Sequence, residues 1–231
     1  MTTVAIIQAR MGASRLPNKM LLYLHGYPVC EWVFRRVQQA KKIDQVVFAL
    51  PNRDKDDVLA WYLESIGASL FRGSETDLVE RYYQAAKKVG ADQIVRVCAD
   101  NPLICASEID RLINYFNFES CDYAYNHIPR GNRYPDGLGA EICSMQLLEE
   151  IHQKAESPDH REHLFNTIWD NRTVYTIKTF DPVEEIAHPE LKLDLDTIDD
   201  YQRLLEKPYR INMSAIEIAQ TALENKVNLI K

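Results

Sequence analysis

Three cations lie close together near the amino terminus, Arg10, Arg15 and Lys19, with no acidic residue between them. They follow the apolar run Val4-Ala5-Ile6-Ile7 and share their stretch with Gly12, Ser14 and Pro17, which break any helical or strand period. A basic loop leaving the carboxyl end of a buried strand, with a glycine that lets backbone approach a ligand, suits a polyphosphate. A solvated basic loop is the plainer alternative. Neither of two widespread phosphate loops fits: Lys19 is followed by Met20 rather than Ser or Thr, and one glycine replaces the three of the dinucleotide fingerprint.

Two later stretches carry acids. In Cys98-Ala99-Asp100-Asn101-Pro102 an aspartate sits where the chain leaves an apolar run, either as a Mg²⁺ ligand or as an Asx-turn residue. In Leu191-Lys192-Leu193-Asp194-Leu195-Asp196 a period of two predicts a strand that buries the leucines and puts Lys192, Asp194 and Asp196 on the other face. Carboxylates about 7 Å apart on one face repel unless a cation lies beside them. Mg²⁺ would serve, as would Lys192 beside Asp194 with Asp196 or Thr197 capping the next helix.

The elements that must hold these groups alternate. Strands are predicted at 4–8, 45–50, 69–72 and 92–98, with helices at 28–42, 54–66, 75–89 and 107–118. Gly67 and Gly90 read as carboxyl-terminal caps, and Ser74 or Thr76 as an amino-terminal one. Regular alternation predicts a three-layer α/β/α fold with a mostly parallel, Rossmann-like sheet, and ligands in such sheets bind beyond the carboxyl ends of the strands. A short strand at 121–125 precedes a long loop, 126–139, whose length suggests function. Helices at 197–206 and 214–225 close the chain. We expect one domain over 1–231, with an irregular region near 126–180 serving acceptor binding or dimerisation.

With 231 residues the chain can bury a sizeable core, and a net charge of −7 argues against nucleic acid as partner. Five cysteines without a Cys-x-x-Cys pair read as reduced thiols. No apolar run approaches membrane length and no leader is evident, so no membrane partner and a cytoplasmic location are expected.

The stretch Ile6-Ile7-Gln8-Ala9-Arg10-Met11-Gly12-Ala13-Ser14-Arg15-Leu16-Pro17-Asn18-Lys19-Met20-Leu21 resembles the signature of cytidylyltransferases of the acylneuraminate, 3-deoxy-octulosonate and spore-coat-polysaccharide type. Arg10, Gly12, Arg15, Leu16, Pro17, Lys19 and Leu21 match it; Ala13 and Asn18 depart, although Asn tolerates the positive φ of a turn. The resemblance continues through Arg72-Gly73-Ser74 to Tyr82, Asp100-Asn101-Pro102-Leu103-Ile104, Pro135 to Glu141, Arg161-Glu162-His163 and Leu191 to Tyr201. Gly139 stands where the pattern often has Asp.

Such a resemblance implies attack of an acceptor oxygen on the α-phosphorus of CTP. Arg10, Arg15 and Lys19 would neutralise the triphosphate and the departing pyrophosphate. Ala9, Gly12, Ser14, Arg72, Gly73 and Ala99 would contact the nucleotide, and Asp100 and Asp196, with Asp194 beside them, would hold Mg²⁺. Asp136, Glu141 and His163 would face a sugar-acid-like acceptor, and a homodimer is implied. His160 and His163, three apart, could share a helix face as a zinc pair, but no third ligand has convincing spacing. Two other readings stay open. One is a glycosyltransferase using Asp194-Leu195-Asp196; the other is a non-catalytic nucleotide-binding subunit.

Overall fold

A computed structural model describes residues 1–224. The β-branched run near the amino terminus forms β1 (Thr3–Gln8). Its residues Val4 to Ile7 are fully buried because β4 (Gln45–Pro51) and β6 (Gln93–Cys98) flank it in parallel. A two-stranded hairpin, β2 (Tyr23–Leu24) and β3 (Tyr27–Pro28), leads into α1 (Val29–Val37). After β4 come α2 (Asp57–Ser65), β5 (Ser69–Gly73) and α3 (Leu78–Lys88); α4 (Ala106–Phe118) follows β6.

Beyond α4 the chain adds β7 (Tyr123–Tyr125), a long loop, β8 (Glu141–Ser144), α5 (Met145–Lys154), α6 (Pro158–Glu162), α7 (Asn166–Asp170) and β9 (Ile177–Thr179). The described residues finish with α8 (Ile198–Leu205) and α9 (Ala215–Leu223). The seven-stranded sheet runs β5-β4-β1-β6-β8-β7-β9, and β8 alone runs against its neighbours. Two buried apolar clusters, one containing Trp32, Phe48 and Leu195 and the other Tyr82, Tyr123 and Phe165, form the core. This is the three-layer, mostly parallel arrangement the alternating pattern predicts.

Several boundaries move, each for a local reason. Helix α3 begins at Leu78 because Asp77, rather than Ser74 or Thr76, accepts the Glu80 amide at 2.8 Å. Residues 54–56 form a 3-10 turn before α2, and α1 stops at Val37. Gly67 and Gly90 take φ of 79° and 66°, as caps do. The segment 191–196 is not a strand. It is extended chain with one bridge, Asp136 to Lys192, because the loops around Asp136 and Asp100 take up its amides. The last helix expected, 214–225, ends at Leu223, and residue 225 lies outside the described residues.

Candidate active site

The basic loop is fixed at both ends. The Met11 amide donates to the fully buried Asp56 carboxylate at 2.7 Å, and the Asn18 amide returns to the Met11 carbonyl at 3.3 Å. Asn18 adopts φ 60°, the left-handed turn that the family pattern meets with glycine. That turn starts a 3-10 helix, Lys19–Leu21, and drops the Lys19 side chain into the molecule.

There the Lys19 ammonium, 8 % exposed as a residue, donates to Asp100 Oδ2 at 3.0 Å, Asp196 Oδ1 at 3.0 Å and the Leu195 carbonyl at 2.8 Å. Arg15 holds the other Asp196 oxygen at 2.7 Å. Residues more than 170 positions apart thus meet at one point.

The acids are placed by backbone. The Leu195 amide donates to the Asp100 carbonyl at 2.7 Å, which locks the loop after β6 against the segment before α8. Thr197 and Asp200 form a capping box, and Asp200 also accepts the Asp196 amide at 3.0 Å and Lys192 Nζ at 2.8 Å. Burial pushes the Asp200 carboxyl up, but Lys192, Arg203 and Thr197 outweigh it and hold it well below the usual carboxylate range. Burial likewise pushes Asp196 up, and Lys19 and Arg15 bring it below its ordinary value. Both are therefore ionised near neutrality.

Arg15, Lys19, Asp100 and Asp196 border a cleft of about 240 Å³ at the carboxyl ends of β1 and β6. Of the residues expected from sequence, Ala9, Arg10, Ser14, Arg15, Lys19, Ala99, Asp100, His163 and Asp196 line it. Gly12 and Gly73 do not, and Arg72 is drawn away to Asp57 and to the carbonyls of Pro51 and Arg53. Asp194 also lies outside the cleft lining. It is buried 3.5 Å from Lys192, and burial raises its pKa.

Arg81 and Arg96 are cleft cations that the sequence reading passed over. Arg81 is 5 % exposed and its Nε has no partner among the described residues; burial lowers its pKa. Its place one turn into α3, beside the Arg-Gly-Ser loop, was the available signal. Arg96 sits in the middle of β6, where its donation to Gln8 (3.1 Å) and to Glu141 could not be read from spacing.

Arg96 and His163 are shared with a second cavity of about 390 Å³. Glu141 forms part of its floor, so the alternative of an exposed strand residue does not hold: it is 3 % exposed and takes bonds from Arg96 and Tyr123. Burial pushes Glu141 up, but Arg96, His127 and Tyr123 hold it below its ordinary value. Asp136 lines neither cavity. Its amide and carbonyl pair with residues 191 and 193, and burial, reinforced by Asp194, raises its carboxyl to about 6. Gly139 explains its departure from the family pattern, since a Cβ there would meet the Asn126 carbonyl oxygen at 2.2 Å.

A mostly parallel sheet with a cationic cleft at its switch point, joined by two carboxylates, defines a nucleotide-handling α/β enzyme fold. A family model described as Cytidylyltransferase matches residues 4–211, and the chain belongs to that family. It is 31 % identical over 220 residues to the uncharacterized protein MJ1063 of Methanocaldococcus jannaschii, covering 95 % of this chain and 88 % of that one. It is 29 % identical to the spore coat polysaccharide biosynthesis protein SpsF of Bacillus subtilis, over 86 % and 83 % of the two chains. A solved cytidylyltransferase structure from Leptospira borgpetersenii superposes with a TM-score of 0.86 at 29 % identity, covering 95 % of this chain and 93 % of the other.

Proposed function

We propose that this chain transfers a cytidylyl group from CTP to a hydroxyl of a sugar acid or related surface-polysaccharide precursor, releasing pyrophosphate. The observation that carries the reading is the meeting of Lys19, Arg15, Asp100 and Asp196 in one cleft. Five cations, Arg10, Arg15, Lys19, Arg81 and Arg96, line a pocket sized for a nucleotide's phosphates.

The donor set fits a hard divalent cation such as Mg²⁺. Two carboxylates and a carbonyl already surround the Lys19 ammonium at 2.8–3.0 Å, an all-oxygen environment with a cation at its centre. No three His, Cys, Asp or Glu among the described residues form a metal cage, so Asp100 and Asp196 would share the ion with phosphate and water oxygens. Bound there, the ion would neutralise phosphate charge and align the triphosphate.

The chain's own part is positioning and charge. Arg10, Arg15 and Lys19 turn toward the phosphates as these arrive, and Lys19 exchanges carboxylate for phosphate oxygens as it does so. Charge then gathers on the pyrophosphate as the α-phosphorus bond to it breaks, and the same three cations are already in place to meet it. The acceptor hydroxyl loses its proton to solvent water as its oxygen forms the new bond to the α-phosphorus from the side of the second cavity, with Arg96 and His163 at the boundary. Asp194 lies outside the cleft lining, which counts against an Asp-x-Asp glycosyltransferase.

Pyrophosphate release tests the reading, with each of the four ribonucleoside triphosphates and Mg²⁺ offered against 3-deoxy-octulosonic and N-acetylneuraminic acids. Release with CTP and a sugar acid supports it. Consumption of a ready-made nucleotide sugar, or CTP binding that never yields pyrophosphate, sinks it.

A further inference from the structure

Two guanidinium groups in the second cavity are engaged in an unusual way. Arg130 and Arg172 place their guanidinium carbons 3.9 Å and 4.7 Å from the ring centroid of the same indole, Trp169. Trp169 is itself held edge-on by Tyr123 and Tyr125, at 5.9 Å and 5.3 Å. Neither arginine has a carboxylate in salt-bridge range among the described residues: Arg172 donates only to the Trp169 carbonyl, at 3.2 Å, and the Arg130 carbonyl accepts from Tyr125. Stacking on a ring face fixes a guanidinium while leaving its edge N–H groups free for an oxyanion.

The other ionisable groups of the cavity form no ion pair with either arginine. Glu141 is engaged by Arg96 and Tyr123, and Asp170 lies 2.9 Å from the His160 ring. His127 is buried near Glu141 with an unpartnered Nδ1, and burial lowers its pKa, so it offers a neutral polar wall. Two ring-held cations without an ion-pair partner among the described residues therefore line a cavity that shares Arg96 and His163 with the triphosphate cleft.

We propose that Arg130 and Arg172, splayed on Trp169, form the anion clamp that selects a negatively charged acceptor and points its hydroxyl toward the nucleotide. This rests on the transfer reading above for the acceptor's role, but not for its charge. A carboxylate or a phosphate would satisfy the same fork geometry.

The test is calorimetric titration of the full chain, wild type and Arg130→Gln/Arg172→Gln, with four probes. These are N-acetylneuraminic acid, 3-deoxy-octulosonic acid, the carboxamide of the first, and glucose 6-phosphate. CTP with Mg²⁺ is titrated in parallel as a check that the variant is folded and its cleft intact. We expect at least one anionic probe to bind the wild type and to bind the double variant tenfold or more weakly, with the carboxamide bound poorly by both and CTP affinity unchanged. A response to the acids alone assigns a carboxylate; a response to glucose 6-phosphate alone assigns a phosphate. Anionic probes that bind both proteins equally, that bind neither, or that bind no better than the carboxamide overturn the clamp. Should the variant lose CTP binding, Trp169→Leu, which removes the aromatic face but neither charge, replaces it under the same criteria. Because these are equilibrium titrations, a wild type that binds the acid yet releases no pyrophosphate leaves the clamp standing and defeats only the transfer reading.

Discussion

The two cavities handle charge in opposite ways. In the cleft beside the basic loop three of the five lining cations are already paired with carboxylates: Lys19 with Asp100 and Asp196, Arg15 with Asp196, and Arg96 with Glu141. In the second cavity Arg130 and Arg172 lie on an indole, with no carboxylate in range among the described residues. On the proposed reading a ligand entering the first would have to exchange partners; Asp100 and Asp196 would hold a divalent ion, whose charge would offset theirs and leave Lys19 free for the ligand. A ligand entering the second finds its partners waiting. The first arrangement keeps a buried lysine paired while no nucleotide is bound, whereas the second is open to water and carries bare charge at little cost.

The largest effect should come from breaking the cleft's pairing. Asp100→Asn leaves the backbone bond from Leu195 intact while removing one of the two carboxylates around Lys19. Pyrophosphate release should fall by about a thousandfold, the scale of losing one preorganised electrostatic partner, while circular dichroism and Tm stay near wild type. A rate within a few-fold of wild type would show that the two acids do not act on the nucleotide.

A smaller, selective effect should follow from crowding the loop behind the second cavity. Gly139 packs against Asn126, whose side chain accepts the Ala140 amide at 2.9 Å and whose successor, His127, lines that cavity. Gly139→Ala forces the two strands of the loop apart. Overpacking of this kind costs about 1–3 kcal/mol, which should appear as a Tm drop of several degrees and a raised KM for the acceptor, with CTP affinity kept. Equal damage to CTP binding would mean that the two cavities are mechanically one.

The asymmetry also explains what could be read from sequence. The cleft is built from residues that follow strand ends in short runs, so Arg10, Arg15, Lys19 and Asp100 were legible from local chemistry, and the alternation of strand and helix predicted the sheet that brings them together. The second cavity draws on β6, the loop after β7, β8 and the α6–α7 region, and no local pattern links Arg96 to Glu141 or Trp169 to Arg130. Arg96 is the one cation within β6, and nothing in that run of residues names its partner. Only the register that sets it opposite Glu141 of β8 reveals a pair. The segment before α8 misled for a related reason: its leucines alternate as in a strand, yet its amides are taken by two loops rather than by a neighbouring strand.

The smallest expected effect concerns His127. Its pKa is lowered by burial from the ordinary 6.5, so the unfolded chain takes up a proton more readily than the folded one. Stability from this group is therefore present above pH 6.5 and lost as pH falls below it. Thermal melts between pH 7.5 and 5.5 should show a steeper decline for the wild type than for His127→Gln. Parallel declines would place the histidine outside the acid response of the fold.

On the proposed reading Lys19, Asp100 and Asp196 surround one nucleotide-metal pocket. Calorimetric titration of CTP into wild type and Asp196→Asn, with Mg²⁺ and then with EDTA, tests it most directly. We predict tight binding by the wild type that collapses in EDTA, and weak binding by the variant that EDTA leaves unchanged. A variant that binds CTP as the wild type does, with the same dependence on Mg²⁺, would contradict the account.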